Sequence, residues 1–466
     1  MMVLLSFLIA AILGFFFISL LWPNESEFLS EIPIRFCLGL GVGSGLTSCL
    51  LFLWLVFYGQ ADRKYLLLEG VVTAALAVSY VLRRRRPPRS VSTSVNHSNG
   101  KYQWLLVALL VLAVCASIYA AIHAIIQQPH GNGWDAWAIY GVRARAIFRG
   151  GAGWRDTFST LIPWSHPDYP LLLPLSTVRI WLYARGEVKA VQSILTVTYA
   201  LATVGVVTFG LKRLRGFEQG LIAGILVLSL STLLTYAGSA YADVPVTFFF
   251  TATLVLFALH HATTDANYLV LAGVTAGLAA WTKNEGLLFV AACAAAHLVV
   301  VLRTQGVKAY LRELRFFAYG LVPLLAIGLY FKTQLAPPSE LVTAMSNQST
   351  AAKLLDFRRY IFIARSFYWE LIYYTGRGIN LTYLLPLYLL CVGVTLKHKL
   401  TILQVALTLL LMFAGYFWVY LTTPYDVAFH IKFSIDRLMM QQWPSFVFLF
   451  FLIAMSPNES FHNQRN

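Results

Sequence analysis

Apolar runs without a single formal charge recur along almost the whole chain, and nothing else in the sequence constrains it as strongly. They cover 1–23, 36–60, 102–126, 190–211, 219–242, 244–259, 266–282, 286–302, 316–331, 378–396, 400–425 and 438–457. A helix of roughly 20 apolar residues crosses the hydrocarbon core of a bilayer, and most of these runs meet or approach that length. A further run, 65–82, is interrupted by Glu69 but still reads as a span. The expected fold class is therefore all-α, a polytopic transmembrane helical bundle of about 13 spans.

Composition agrees. Only 12% of the residues are charged, against about 25% in an ordinary soluble domain. The net charge of +15 would suggest a nucleic-acid partner in a soluble protein. In a chain this apolar it reads as the Lys/Arg bias of cytoplasmic loops, so the partner is the lipid bilayer and no nucleic acid is expected. The five cysteines lie in or beside apolar runs and form neither a disulfide framework nor a metal spacing. The first 22 residues lack a basic leader and a clear cleavage site, and are read as a retained span.

Four basic clusters set the orientation. They are Arg83-Arg84-Arg85-Arg86-Pro87-Pro88-Arg89, Lys212-Arg213-Leu214-Arg215, the segment 303–315 with Arg303, Lys308, Arg312 and Arg315, and Lys397-His398-Lys399. Placing all four inside agrees with strict alternation of the spans. Segments 127–188, 237–243, 283–285, 332–377 and 423–437 then face outward. Three units follow: extra N-terminal spans with a basic linker (1–101), a core carrying the long outward loop (102–333), and an outward loop with the C-terminal spans (334–466). Gly39, Gly41, Gly43 and Gly45 in the second run are read as close helix packing rather than a site.

Chemistry is expected in the outward loops. The long loop 127–188 opens Gly131-Asn132-Gly133-Trp134-Asp135. From Trp134 to Phe148 the apolar residues recur at helical spacing, which suits an interfacial helix with Asp135 in its first turn. The loop continues Trp164-Ser165-His166-Pro167-Asp168-Tyr169-Pro170, and an apolar stretch to Tyr183 reads as a second juxtamembrane helix. Shorter loops contribute Asp243, then Lys283 and Glu285, then Arg437 ahead of the last run. Each has a plain structural reading beside the functional one. Asp135 and Asp243 could be helix caps, Lys283 and Glu285 a self-contained pair, Arg437 a snorkelling anchor, and His166 and Asp168 loop hydrogen-bonders. Against this, ionisable groups at the mouth of a membrane bundle are candidates for function. A Lys or Arg there suits a phosphate, Arg through two-pronged donation.

Taken in order, the outer-loop Asp135, the segment His166-Pro167-Asp168-Tyr169-Pro170, the loop Ala242-Asp243-Val244-Pro245 and the turn Thr282-Lys283-Asn284-Glu285-Gly286 resemble a known group. They resemble the polyprenyl-phosphate-sugar-dependent glycosyltransferases of the GT-C fold, which include the protein O-mannosyltransferases and the lipid A aminoarabinose transferases. Two features depart from it: three spans precede the acidic loop, and Ala136 follows Asp135 where many protein O-mannosyltransferases carry an Asp-Glu pair.

The resemblance implies an inverting membrane glycosyltransferase that moves a sugar from a polyprenyl-phosphate donor to a hydroxyl of a glycan, lipid or protein acceptor. It implies a bacterial inner membrane with the site on the outer face. Asp135 would be the catalytic base and Asp243 the second catalytic carboxylate. Trp134, His166, Asp168, Tyr169, Lys283, Glu285 and Arg437 would bind substrate, with Lys283 and Arg437 on the donor phosphate and Arg358, Arg359 and Arg365 as weaker candidates for it. The resemblance fixes no cofactor and leaves metal dependence open: His166, Asp168 and Asp243 could together hold a divalent ion. Two rivals stand beside this reading: a transporter or flippase of lipid-linked sugars without transferase activity, and a non-catalytic membrane scaffold. A separation of Asp135 and Asp243 within roughly 10 Å, about one Debye length, favours a shared site.

Overall fold

The computed structural model describes residues 1–23, 28–84, 102–339, 349–373, 381–456 and 459. Most of the first basic cluster and the linker after it lie outside the described residues, as does part of the 332–377 segment. Among the described residues the chain is helical, with one isolated backbone bridge between Val394 and Ala454. The helices are α1 (Met2–Leu21), α2 (Phe28–Tyr58), α3 (Tyr65–Arg84), α4 (Gln103–Gln127), α5 (Val142–Arg149), α6 (Leu172–Ala184), α7 (Val191–Arg215), α8 (Phe217–Leu228), α9 (Ser231–Gly238), α10 (Asp243–Thr263), α11 (Asn267–Thr282), α12 (Glu285–Thr304), α13 (Val307–Gln334), α14 (Ser349–Leu355), α15 (Phe357–Tyr373), α16 (Leu381–Val392), α17 (Lys399–Thr422) and α18 (Val427–Ile453).

Among the described residues, nine helices are long and apolar enough to cross a membrane, or up to ten if the bent pair α8–α9 is one span. That is fewer than the 13 expected, and the shortfall has local causes. The run 219–242 is broken after Leu228 and turns by 60°. The run 266–282 forms α11, only 16 residues, or about 24 Å at 1.5 Å per residue. The run 378–396 yields the short α16, which contains Pro386. The last run is the C-terminal half of α18, whose N-terminal half carries His430, Lys432, Asp436 and Arg437.

Helix direction still alternates through the short elements. Asp243 at the start of α10 meets Lys283 at the end of α11 at 2.9 Å, while His260 near the end of α10 lies 3.3 Å from Glu313 near the start of α13. Thus α10, α11, α12 and α13 run in turn between two ends of the bundle. Residues of the second and fourth basic clusters lie at the second of these ends. Arg215 donates to the Ala454 carbonyl and pairs with Glu459, and the His398 ring lies 3.1 Å from the Leu214 carbonyl.

The N-terminal spans are packed into this bundle: α2 lies against α1, α6 and α7 and touches α10 and α11. The glycine series makes this possible. A Cβ on Gly43 would stand 1.9 Å from the Ala10 carbonyl oxygen of α1, and one on Gly41 would stand 2.1 Å from the Phe248 ring of α10. Gly43→Leu is therefore expected to push α1 off α2 and cost about 1–3 kcal/mol, the usual range for overpacking. Thermal unfolding in detergent would show it; an unshifted melting curve would mean that α1 docks elsewhere.

The long outward loop departs from expectation in its second half. Residues 172–183, read as a juxtamembrane helix, form α6 inside the bundle, with every one of them buried. The segment has no polar face to present to an interface. Its one charge, Arg179, is neutralised by Glu69 of α3, with Nε 3.0 Å from each carboxylate oxygen. Arg179 also donates to the Ser6 carbonyl at 2.7 Å. The residue that weakens the third apolar run is thus the counter-ion of a buried arginine.

Candidate active site at one end of the bundle

Asp243 is the first residue of α10 and is completely buried. Its Oδ1 receives Lys283 Nζ at 2.9 Å and Gln441 Nε2 at 2.7 Å. Lys283 occupies the one-residue extension that ends α11, so its ammonium reaches across to α10 and also lies 3.0 Å from Glu285. Burial works against the Lys283 charge, but Asp243 and Glu285 more than offset it and hold its pKa well above the ordinary lysine value. Asp243 Oδ2 has no hydrogen-bond partner and stands 3.8 Å from Arg437 Nη1.

The same Arg437 nitrogen lies 2.5 Å from Asp135 Oδ2. Both aspartates therefore contact one guanidinium, which brings their carboxylates well within the ~10 Å limit set above. Asp135 begins a π-helical turn, Asp135–Gly141, that runs into α5. Such wide turns are rare and recur at functional sites. Two glycines bring it into place. Gly131 (φ +82°) and Gly133 (φ +129°) adopt backbone that disfavours other residues, and Cβ atoms there would stand 2.7 Å from the Ser239 carbonyl oxygen and 2.3 Å from the Tyr241 hydroxyl. The loop consequently lies flat on the α9–α10 turn. The Tyr241 ring in turn lies 5.5 Å from the Arg437 guanidinium. Tyr236 donates to Asp436, whose other oxygen accepts the Arg437 amide at 2.8 Å.

A second group adjoins the first through the Lys283-Asn284-Glu285 turn. Asn284 Nδ2 donates to Asp168 Oδ2 at 3.2 Å, and Lys332 Nζ donates to Asn284 Oδ1 at 2.8 Å and lies 3.7 Å from Asp168 Oδ2. Lys332 also donates to the Asp168 carbonyl. Buried Arg143 donates to the carbonyls of His166, at 3.4 Å, and Tyr169. Burial pulls its pKa down to about 10, so it stays charged near neutrality. His166 has left-handed backbone (φ 46°), and its ring stacks on Tyr169 at 4.7 Å. Burial raises the Tyr169 hydroxyl pKa above its ordinary value. Trp134 is half exposed and packs edge-on against Trp137 and Trp164, with centroids 4.9 and 6.0 Å away.

Asp135, Asp243, Lys283, Glu285 and Arg437 thus form one cluster, with Asp168, His166 and Tyr169 beside it on the Asn284 side. The three loop arginines have other surroundings. Arg359 donates to the Tyr420 carbonyl at 2.9 Å, and Arg358 and Arg365 are exposed.

The metal expectation is corrected. Among the described residues no three His, Cys, Asp or Glu side chains converge as ligands. Asp168 is turned to Asn284 and Lys332, Asp243 to Lys283 and Gln441, and His166 to Tyr169. Cations and amide donors stand where His166, Asp168 and Asp243 would need to share an ion.

A groove of 320 Å³ opens between the C-terminal ends of α4 and α9. Its walls include Ala120, Ala121, Ala124 and Leu234, and its inner end includes Asn132 and Ser239, which flank the glycine loop. Next to it, α4 exposes Leu109, Leu112, Ile122 and Ile126.

No protein-family model, curated protein or solved structure matches the chain.

Several residues of the cluster carried no role in the sequence. Lys332 lies at the end of a long apolar helix and Arg143 in an amphipathic turn, and each looks like an anchor until its partners are known. Gln441 and Gln442 interrupt an apolar run as an uncharged polar pair, which was a usable signal. Tyr236, Tyr241 and Tyr416 gave none, because tyrosine is common at membrane interfaces.

Proposed function

We propose that this chain is a membrane glycosyltransferase that transfers one sugar from a polyprenyl-phosphate donor to an acceptor hydroxyl, with inversion, as its resemblance to the GT-C enzymes implies. The observation that carries the reading is the meeting of Asp135, Asp243 and Glu285 with Lys283 and Arg437 at one end of the bundle, supplied by segments far apart in the chain. A carboxylate beside two cations is what transfer from a phosphate requires. The acceptor oxygen attacks the anomeric carbon, and its proton passes to Asp135. The bond from that carbon to the phosphate oxygen breaks, and the polyprenyl phosphate leaves with the electron pair. Lys283 and Arg437 stabilise the charge growing on it. The isoprenoid chain is assigned to the groove between α4 and α9, where α4 also exposes Ile122 and Ile126. Basic clusters at the other end of the bundle suit a site on the outer face, and the resemblance implies a bacterial inner membrane.

The test is the pool of lipid-linked sugars. Deleting the gene is expected to make one polyprenyl-phosphate sugar accumulate in the membrane while its glycan, lipid or protein product disappears, as read by mass spectrometry of lipid extracts. Restoring the wild-type gene should reverse both. An unchanged pool and product profile would reject the transferase reading.

A further inference from the structure

Arg437 faces two carboxylates that differ in how well they are already served. Asp135 Oδ2 is engaged, at 2.5 Å. Asp243 Oδ1 is engaged twice, by Lys283 and Gln441. Asp243 Oδ2 is buried, without a hydrogen bond, and 3.8 Å from the nitrogen that holds Asp135. A buried carboxylate oxygen left unbonded is costly. A shift of the guanidinium by about 1 Å would bring it to charge-assisted hydrogen-bond distance of that oxygen.

The surroundings suit such a shift. Gln441 cannot turn away, because Tyr416 donates to its Oε1 at 2.8 Å and Gln442 Nε2 donates to the Tyr416 hydroxyl at 2.8 Å. Asp243 is thereby locked with its free oxygen toward Arg437. The Tyr241 ring lies beside the guanidinium and offers a surface along which it can slide. The Arg437 and Asp135 side chains are 19% and 17% exposed, so an incoming anion can reach them, whereas Asp243 is 1% exposed. In the cluster three carboxylates face two cations, so an approaching phosphate meets excess negative charge while Arg437 stays on Asp135.

We propose that Arg437 is a two-position latch that covers Asp135 in the unliganded protein and is drawn toward the free oxygen of Asp243 by the phosphate of a lipid phosphate, uncovering Asp135. The proposal rests on the transferase reading and adds an order to it: lipid phosphate first, acceptor second. The base is uncovered only when there is a donor to react with. Asp243 is then a positioning residue, the second resting place of the arginine.

Farnesyl phosphate binding to the purified full-length protein, followed by tryptophan fluorescence, tests this, with farnesol as the uncharged control. A latch withholds part of the protein from the binding-competent state, so apparent affinity falls by the competent fraction. Asp135→Asn removes that competition and is expected to tighten farnesyl phosphate binding by about 10-fold, or about 1.4 kcal/mol. Asp135→Ala breaks the same contact and should act alike, which guards against a folding defect in one variant. In an Arg437→Gln background Asp135→Asn should change nothing, and farnesol binding should be the same in every variant. Unchanged affinity in Asp135→Asn and Asp135→Ala overturns the latch. So does a tightening that persists without Arg437, because simple repulsion by Asp135 would produce it. Either result leaves the donor reading standing. Absence of saturable farnesyl phosphate binding in wild type and all variants would overturn both.

Discussion

Asp135→Asn is expected to lower the rate of sugar transfer by about 10²–10⁴-fold, the usual contribution of a positioned general base. Asn keeps the shape of Asp and can still face Arg437, but its amide oxygen does not take up a proton near neutrality. The π-helical turn that presents residue 135 is held by backbone and by Gly131 and Gly133, not by the carboxylate, so the fold should persist. The kinetic pattern is specific. If Arg437 is released by the loss of its partner, KM for the donor should fall while kcat collapses, a split that a misfolded variant would not give. Initial rates with purified protein and the donor found in the lipid pools would measure it. Near-wild-type turnover in Asp135→Asn would remove Asp135 from the role of base.

Glu69→Leu should be the most destabilising single change at a site remote from the cluster. It leaves Arg179, 2% exposed, without its counter-ion, beside the Ser6 carbonyl and the Tyr183 ring. Breaking a buried ion pair by removing one member costs about 3–5 kcal/mol, because the remaining charge has lost both its counter-ion and its water. Inside a bundle of apolar helices that charge has few other places to go. Glu69→Leu is therefore expected to reduce the thermal stability of the detergent-solubilised protein sharply, and Arg179→Leu to do the same. The double variant Glu69→Leu/Arg179→Leu should be more stable than either single one, since no unpaired charge is left behind. Strictly additive losses in that cycle would mean that the two side chains do not act as a pair.

The helical character of the chain is legible in the sequence because lipid leaves backbone polar groups no alternative to internal hydrogen bonds, and long charge-free runs follow directly from that. Span count is less legible. Where a run is surrounded by protein it need not be long, and α11 carries the chain between the two ends of the bundle with 16 residues because its neighbours shield it. The kink between α8 and α9 left the run 219–242 looking continuous, since hydropathy is insensitive to a 60° turn between apolar residues. Residues 172–183 are too short and too rich in proline to stand out as a span, and their burial in the bundle shows only once Glu69 is seen to neutralise Arg179.

The candidate site divides in the same way. Asp135, Asp243, Lys283, Glu285 and Arg437 were conspicuous together, because charge in the segments that join apolar runs is scarce. Their partners were not. Tyr416 and Lys332 acquire meaning only from contacts of 2.8 Å to groups distant in the chain. The sequence by itself determined that the chain is a bundle of apolar helices with ionisable groups at the ends, since that follows from the one-dimensional segregation of charge. Only the tertiary structure decided that two distant aspartates share one arginine and that one carboxylate oxygen is left unserved. Electrostatic contacts fall off within a few ångströms, and separation along a chain does not encode them.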